Sequence, residues 1–571
     1  MNEFLSDRSK VYFWILVVAC VVSLFPFLGE TLFNTRGEPR EAVVALSMLQ
    51  DGNWVLPVNN GVDMAYKPPF FHWILAAIST VAGGVSEFTS RMPSALALSF
   101  MVLAGYVFYA RRKSAEVAFL MGLITLTNFE VHRAGVACRV DMVLTLMMVL
   151  ALYQLYCWVS RGMRGLPWLG ILALSGAFLS KGPVGTALPC LVVAVFALLR
   201  GHGFLHVAGR FAVVGLLSCI LPLLWYIVAW QQGGQRFLDL IYEENVLRLL
   251  GKMSYASHVN PWHYNVVTII SGFVPYTLLV LFSLFVLNYR NLLPLSQAWE
   301  RIKSTFRQMD EVRLFTLLSF AIIFVFYCIP KSKRSVYLLP VYPFLAYFLA
   351  EYMLWLRHNH RKVLSAFGWT IATLCMLLPL AFMAVRLNLV PESLFAGKHA
   401  AQNIAMLTAL RTAPVGLCEA LLFVLPPAAA IAYIYLRKRP QSVLYAPVVC
   451  VFSVFLSLDG LYQPLVLNTK SDKPMAMQIA RYVPEGRVYS YRKDVVAGNP
   501  LHPFTINYYL GDRVVPFTAF MPESGYLIVG DNDIEAFRER YPQYRVSEVI
   551  DFNHRSCDDR RMLHFYQFAK Q

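Results

Sequence analysis

The sequence predicts a polytopic α-helical membrane protein that ends in a small α/β domain. Three observations carry this expectation. The chain has 571 residues, 57% of them hydrophobic, and a mean hydropathy of +0.51, which soluble chains rarely reach. Apolar runs long enough, or nearly so, to cross about 30 Å of hydrocarbon recur about thirteen times. Beyond Leu465 those runs stop, and short alternating and periodic segments replace them.

The spans are expected near 11–29, 92–110, 115–129, 140–159, 167–180, 184–200, 209–230, 265–288, 313–329, 336–356, 363–386, 413–436 and 442–459. The opening MNEFLSDRSK runs into about 18 apolar residues without a small-residue cleavage site, so the first span reads as a retained anchor. The ten cysteines are scattered, mostly in apolar segments. None forms CxxC and only Cys557 lies in the polar tail, so neither a disulfide framework nor a zinc ribbon is expected. The net charge of +16 calls for no nucleic acid, because basic loops are what a multi-pass membrane protein carries on its cytoplasmic side.

Lysines and arginines set the orientation. With the N-terminus in the cytoplasm, the cytoplasmic loops hold Arg111, Arg112 and Lys113; Arg161 and Arg164; Arg200 and Arg210; Arg290 through Arg313; Arg357, Arg361 and Lys362; and Arg437, Lys438 and Arg439. Every such loop is basic. An odd number of spans then places the tail outside, in a bacterium the periplasm.

The first outer loop, residues 30–91, holds the stretch RGEPREAVVALSMLQDGNWVLPVNNGVDMAYKPP from Arg36 to Pro69. It opens on an acid between arginines, Arg36-Gly37-Glu38-Pro39-Arg40, and closes on Tyr66-Lys67-Pro68-Pro69. Ala42, Val43, Ala45, Leu46 and Leu49 fall at helical spacing, which predicts a short amphipathic helix beside the membrane, and Phe70 to Val81 predicts a second. The plain alternative is an ordinary exposed loop. Against it, further cations stand on the same outer side, where topology gives no reason for them: Arg133, Arg139 beside Asp141, Lys181 in Ser180-Lys181-Gly182-Pro183, and Lys331, Lys333 and Arg334. A charge at the edge of a span is costly unless paired, solvated or used. Some of these side chains could simply snorkel to the interface. Several cations on one face, with Glu38, Asp141 and Glu244 among them, predict an anion site flanked by acids.

Glu244 and Arg248 are four apart after the seventh span, a spacing that also makes a plain surface ion pair. His258, Trp262, His263 and Tyr264 mark the re-entry into the membrane, where aromatics usually anchor. His258 and His263 leave a divalent metal open, without a complete ligand set, and no other cofactor is expected. In the tail, Met475–Tyr482 and Asp533–Arg540 predict helices, the second capped by Asp531 or Asn532. Val488–Tyr491, Tyr526–Gly530 and Arg545–Ile550 predict strands. The domains expected are 1–464 in the membrane and 465–571 outside it.

A lipid-linked phosphate fits these residues. Its tail would lie in the bilayer and its phosphate would need cations at the surface, with Lys67, Arg248, Lys331, Lys333 and Arg334 as candidates and Lys181 in support. A carboxylate could take the proton of an acceptor hydroxyl while the phosphate leaves, and Glu38 and Asp141 are the candidate acids.

Glu38-Pro39-Arg40, Tyr66-Lys67-Pro68-Pro69, Arg139-Val140-Asp141, Ser180-Lys181-Gly182-Pro183, Glu244 to Arg248, and Ser332-Lys333-Arg334 before Tyr337-Leu338-Leu339-Pro340 stand in the order of a known family. Over most of residues 10–460 the chain resembles the bacterial branch of the protein O-mannosyltransferases, which includes the aminoarabinose transferase of lipid A. These are integral membrane glycosyltransferases of the GT-C fold. The resemblance implies a polyprenyl-phosphate sugar donor, undecaprenyl phosphate in a bacterium, and transfer in the periplasm to lipid A, protein or glycan, usually with inversion. It implies that Lys67, Arg248 and Tyr337 contact the donor phosphate and that Asp141 is the second acid. Arg40, Arg139, Lys181 and Glu244 are expected to support the site. Two positions depart from the pattern. The family's frequent Asp-Glu pair is Gly37-Glu38 here, and Tyr66 stands where aminoarabinose transferases commonly have Glu. The alternative functions are a flippase of lipid-linked sugars, which would favour repeated halves or broken helices near the midplane, and an oligosaccharide or O-antigen ligase.

Overall fold

Hydropathy dictates the architecture, and the helices fall where it places them. The computed structural model describes residues 7–247, 250, 252, 259–286, 294–397, 399–439, 441–493 and 502–571. Each of the thirteen expected spans overlies a helix. The first seven are α1 (Asp7–Leu24), α4 (Glu87–Ala110), α5 (Ala115–Thr127), α7 (Val140–Ser160), α8 (Trp168–Lys181), α9 (Val184–Leu199) and α10 (Phe204–Tyr242). Tyr264–Gly272 and Tyr276–Leu284 follow as one pair bent by 104°. Glu311–Cys328, Tyr342–Asn359, Arg361–Arg386, Leu417–Leu436 and Ser442–Ser457 complete the set. Among the described residues, eight helices are individually long and apolar enough to cross a membrane, and the bent pair makes a ninth. The short spans α5, α8 and α9 reach only 13, 14 and 16 residues. They need not match the bilayer on their own, because most of their surface packs against neighbouring helices: Val117 to Gly122 and Ile124 to Thr127 of α5 are all buried.

Ion pairs gather the basic loops at one end of the bundle. Lys113 meets Asp310 at 2.5 Å, Arg200 pairs with Glu311, Arg357 meets Glu116 at 2.7 Å, and Arg361 donates to the Lys438 carbonyl at 2.6 Å. The loops assigned to the cytoplasm by their charge thus share one face. The outer connections lie at the opposite end.

There the two amphipathic helices form as expected, α2 over Gly37–Asp51 and α3 over Phe70–Ala82. Gly52, at φ 68°, stops α2 in the left-handed conformation. Pro68 and Pro69 lead into α3, where a missing N–H costs nothing. Between the helices runs a two-stranded ladder, β1 (Val58–Asn59) with β2 (Asp63–Met64). A short helix, α6 (Phe129–Gly135), separates α5 from α7.

The last span continues through a π-helical turn, Leu458–Tyr462, as far as Lys470. Beyond it a helix at Lys473–Tyr482 and a five-stranded sheet form the tail. The sheet order is β4 (Val514–Pro516), β3 (Val488–Tyr491), β5 (Ser524–Gly530), β7 (Met562–Lys570) and β6 (Tyr544–Arg555). The β4–β3–β5 part is parallel, and β7 is antiparallel to both its neighbours. The helix expected from Asp533 starts at Ile534, and its cap is Asp533 rather than Asp531 or Asn532. The Asp533 side chain is buried and pairs with Arg561 instead of closing the helix end. The tail bolts onto the first outer loop: Asp512 accepts from Ser47 Oγ and from the Asn60 amide, both at 2.8 Å, and Tyr509 donates to Glu87 at 2.7 Å.

Candidate functional site

Helix ends build the site, so every functional side chain is delivered by a turn. Asp141 stands in the first turn of α7, and Lys181 in the last turn of α8. Gly182, at φ 89°, turns the chain sharply toward α9; a Cβ there would press on Asn245 Oδ1 at 3.0 Å. α10 kinks at Gly234, at φ 57° and ψ −147°, which carries its end and Glu244 to the same mouth. α2 brings Arg40 and Glu41, the approach to α3 brings Lys67, and the turn Ser335–Val341 brings Tyr337 just after Arg334.

These side chains line one cleft of about 1270 Å³, counting the part open to solvent. Five cations face it, Arg40, Lys67, Arg139, Lys181 and Arg334, against three carboxylates, Glu41, Asp141 and Glu244. Lys181 Nζ binds Asp141 Oδ1 and also sits 4.5 Å from the centre of the Tyr337 ring. That ring packs on Tyr327 at 5.6 Å. Asp141 thereby fixes Lys181, and Lys181 in turn orders Tyr337. Tyr66 donates to Glu244 at 3.2 Å. Arg139 and Arg334 both lend their charge to Asp141, and Arg139 lends its charge to Glu38 as well.

Glu41 is a site residue that sequence reasoning missed. Its buried carboxylate accepts from Arg40 at 2.7 Å and meets His72 Nε2 at 3.0 Å. Burial pushes its pKa up, yet Arg40, His72 and Lys67 outweigh burial and hold it well below the usual carboxylate range. A charged residue among the apolar positions of α2, with a histidine on the buried face of α3, was the available signal.

Eight of the expected site residues line this cleft: Arg40, Lys67, Arg139, Asp141, Lys181, Glu244, Arg334 and Tyr337. Lys333 is buried beneath it, with Nζ donating to the Pro330 carbonyl at 2.7 Å, and Lys331 is exposed away from the lining. Arg248 and His258 lie outside the described residues, and His263 is exposed. Among the described residues, the groups of acids, thiol or imidazole that converge closely enough for a metal are Asp472, Cys557 and Asp558, and Glu548, Asp551 and His564. Both are in the tail.

Glu38 faces a second cleft instead, with Arg91, Arg133, Asp459 and Gln463, and Arg139 lines both. Arg91 Nε and Nη2 clasp the Glu38 carboxylate at 2.8 and 3.1 Å, and the Cys138 amide donates to it at 2.9 Å. Arg91 Nη1 is taken up by the carbonyls of Leu28 and Thr31 at 2.7 and 2.6 Å. Burial raises the Glu38 pKa, but Arg91, the amide and Arg139 hold it below its ordinary value. Glu38 is thus committed to joining α2, α4 and the entry to α7.

Residues 66–226 match the family model described as dolichyl-phosphate-mannose-protein mannosyltransferase. An uncharacterized protein of Aquifex aeolicus is 30% identical over 385 residues, 66% of this chain and 72% of that one. The chain belongs to the GT-C glycosyltransferase family. An undecaprenyl phosphate-alpha-4-amino-4-deoxy-L-arabinose arabinosyl transferase of Proteus mirabilis is 26% identical over 353 residues, 60% of each chain. The crystal structure of ArnT from Cupriavidus metallidurans bound to undecaprenyl phosphate superposes with a TM-score of 0.70, covering 98% of both chains at 19% identity. This GT-C member therefore shares that fold along almost its whole length, tail included.

Proposed function

We propose that this GT-C protein transfers a sugar from a polyprenyl phosphate, undecaprenyl phosphate in a bacterium, to an acceptor at the periplasmic face of the inner membrane. The observation that carries this reading is the cleft at the outer helix ends, where five cations converge beside two juxtamembrane helices. The donor's polyprenyl chain lies along the apolar bundle. Its phosphate meets Lys67, Arg334 and Tyr337, and Lys181 stands ready beside Asp141.

An acceptor oxygen attacks the anomeric carbon from the face away from that phosphate, which inverts the centre, and the proton of a hydroxyl acceptor passes to the departing phosphate or to water. The carbon–oxygen bond to the phosphate breaks and its electron pair leaves with the phosphate, where the cations neutralise the growing charge. Glu41, held well below the usual carboxylate range, is a poor proton acceptor and fits the positioning of Arg40. The acceptor belongs among lipid A, protein and glycan. The N-terminus would be cytoplasmic and the tail periplasmic. The cleft cations supply the charge that a divalent metal would otherwise bring.

The test uses the full chain in nanodiscs with labelled undecaprenyl-phosphate sugars and a crude envelope extract. Label should move to an acceptor, and Lys67→Ala should lower kcat/KM by roughly 10²-fold while the protein stays folded. A wild type that moves no label with any donor, yet carries the lipid between leaflets in proteoliposomes, would replace this reading with a flippase.

A further inference from the structure

At the end of the bundle away from the cleft, where the basic loops gather, one corner keeps its charge uncompensated. It forms where the Arg361–Arg386 helix begins and the Leu417–Leu436 helix ends. The two helices are pressed together: a Cβ on Gly368 would run into the Tyr433 ring, and the Tyr433 hydroxyl donates to the Ser365 carbonyl at 3.0 Å. Arg361 closes the seam, its Nη2 donating to the carbonyls of Arg437 and Lys438 at 3.0 and 2.6 Å. Arg361, Lys362, Arg437, Lys438 and Arg439 thus meet in one corner.

No acid answers these five cations. The sequence holds none between Glu351 and Glu392, or between Glu419 and Asp459. Glu351 is taken by Arg313 and the Tyr347 hydroxyl, and Glu116 by Arg357 and the Tyr445 hydroxyl. Neighbouring basic loops have acids of their own, Asp310 for Lys113 and Glu311 for Arg200. Helix polarity adds to the imbalance. Arg361 and Lys362 stand in the first turn of a 26-residue helix, the end at which a cation is disfavoured, and that turn holds no acid and no side-chain cap. The carbonyls ending the other helix are met by Arg361 rather than by the cations that follow them.

Arg437 lies partly buried over Trp369, its guanidinium carbon 4.9 Å from the ring centre, and its Nε is buried with no partner among the described residues. Topology asks for cations near the ends of spans, but not for a buried guanidinium nitrogen without an acceptor. Lys362, Lys438 and Arg439 are exposed and make no side-chain hydrogen bond or ion pair among the described residues. Toward the membrane the surface turns apolar, with Trp369, Tyr435, Ile434 and Ile431 exposed.

We infer that this corner holds the phosphodiester headgroup of an anionic phospholipid from the leaflet at this end of the bundle. Arg437 and the three exposed cations meet the headgroup, and the acyl chains lie on Ile431, Ile434 and the Trp369 ring. A basic pocket between spans, at interfacial depth and above an apolar wall, suits such a lipid. A free anion would answer the charge and make no use of the wall. The corner stands at the other end of the spans from the cleft, so its occupant is separate from the sugar donor.

The experiment uses the full chain, delipidated in detergent, with bound lipid counted by native mass spectrometry. The probes are phosphatidylglycerol and phosphatidylethanolamine, which share the phosphodiester and differ in net charge. Phosphatidylglycerol should bind at least about tenfold more tightly. The variant Lys362→Gln/Lys438→Gln/Arg439→Gln should weaken it by about a hundredfold, about fivefold for each cation near a lipid surface. Lys438→Gln/Arg439→Gln, with a loss of about 25-fold, keeps the test open if the triple variant misfolds. Arg161→Gln/Arg164→Gln removes two exposed cations from the turn after α7 and should leave binding within twofold of wild type. Millimolar inorganic phosphate should leave the lipid in place. Equal binding of the two lipids overturns the inference. So does a triple variant that binds like wild type, or an Arg161→Gln/Arg164→Gln variant that loses as much as the triple. Displacement by inorganic phosphate makes the corner a free-anion site and overturns the lipid assignment.

Discussion

Glu38→Gln separates a structural carboxylate from a chemical one. In the folded chain Glu38 accepts two hydrogen bonds from Arg91 and one from the Cys138 amide. The two side chains are 12% and 5% exposed, so water cannot replace what is lost. The amide keeps one oxygen for Cys138 but turns an NH₂ toward Arg91, donor against donor, and leaves a buried guanidinium without its counter-charge. Breaking a buried pair from one side costs about 3–5 kcal/mol. Arg91 retains two carbonyl acceptors and the Phe33 ring 5.3 Å away, which places the cost near the lower end, about 3 kcal/mol. The unfolding midpoint in detergent, followed by fluorescence-detected size exclusion at pH 7, should fall by about 2–3 °C. The pH dependence has a definite sign. Because the folded pKa lies below the unfolded one, this stabilisation is present above the unfolded pKa and is lost as pH falls through the folded value, so the gap between wild type and variant should close in acid. Donor cleavage measured below both midpoints should stay within severalfold of wild type. A variant as stable as wild type that has lost a thousandfold in activity would refute this reasoning and place Glu38 in the chemistry.

Four further outcomes follow from the same geometry. Lys181→Met strands the Asp141 carboxylate and should cost about 3–5 kcal/mol; adding Asp141→Asn should restore most of the stability and none of the transfer, and a double variant as unstable as the single would remove the pair as the cause. Glu41→Gln should lower the unfolding midpoint but leave the shape of the pH–rate profile between pH 5 and 8 unchanged, since Glu41 is ionised throughout that range; loss of an acidic limb would make it the base. In the tail, burial pushes Asp472 up to about 7 and Asp558 to about 6. The folded state then holds protons that the unfolded state has released, so stability should fall by on the order of 6 kcal/mol as pH rises from 4 to 7, and Asp472→Asn should flatten that slope; a wild type that gains stability over the interval contradicts it. Transfer should persist in EDTA, because Lys67, Lys181, Arg139 and Arg334 supply the neutralising charge; abolition restored by added divalent metal would assign that charge to an ion.

What could be read from the chain divides along physical lines. The spans were legible because a bilayer imposes length and apolarity on each segment separately, and the basic loops reported their own side. α2 and α3 were legible from spacing, and Lys67, Asp141 and Arg334 from being cations and an acid where topology wanted none. The commitment of Glu38 was not legible, because its partner Arg91 lies 53 residues on and nothing local announces the contact. Glu41 was hidden in the same way, since only the fold brings His72 over it. Gly37 is only a gap in a motif at the level of sequence, and it is the fold that lays the Arg139 guanidinium against it. In the tail, β7 was missed because His564, Gln567 and Lys570 interrupt its apolar residues, although it pairs along the full length of β5 in the middle of the sheet.

The bolt between the tail and the first outer loop ties together stretches of chain more than 400 residues apart. Ser47 and Asn60 on one side, and Asn507 and Asp512 on the other, form a single hydrogen-bonded unit behind the helix that carries Arg40 and Glu41. A substitution at Asp512 strands donors at two places in the loop at once. Tails are therefore not exchangeable parts among relatives: a chimera that takes its tail from another member keeps α2 in place only if it takes positions 47 to 60 from the same parent. In this chain a change in either stretch has to be matched in the other.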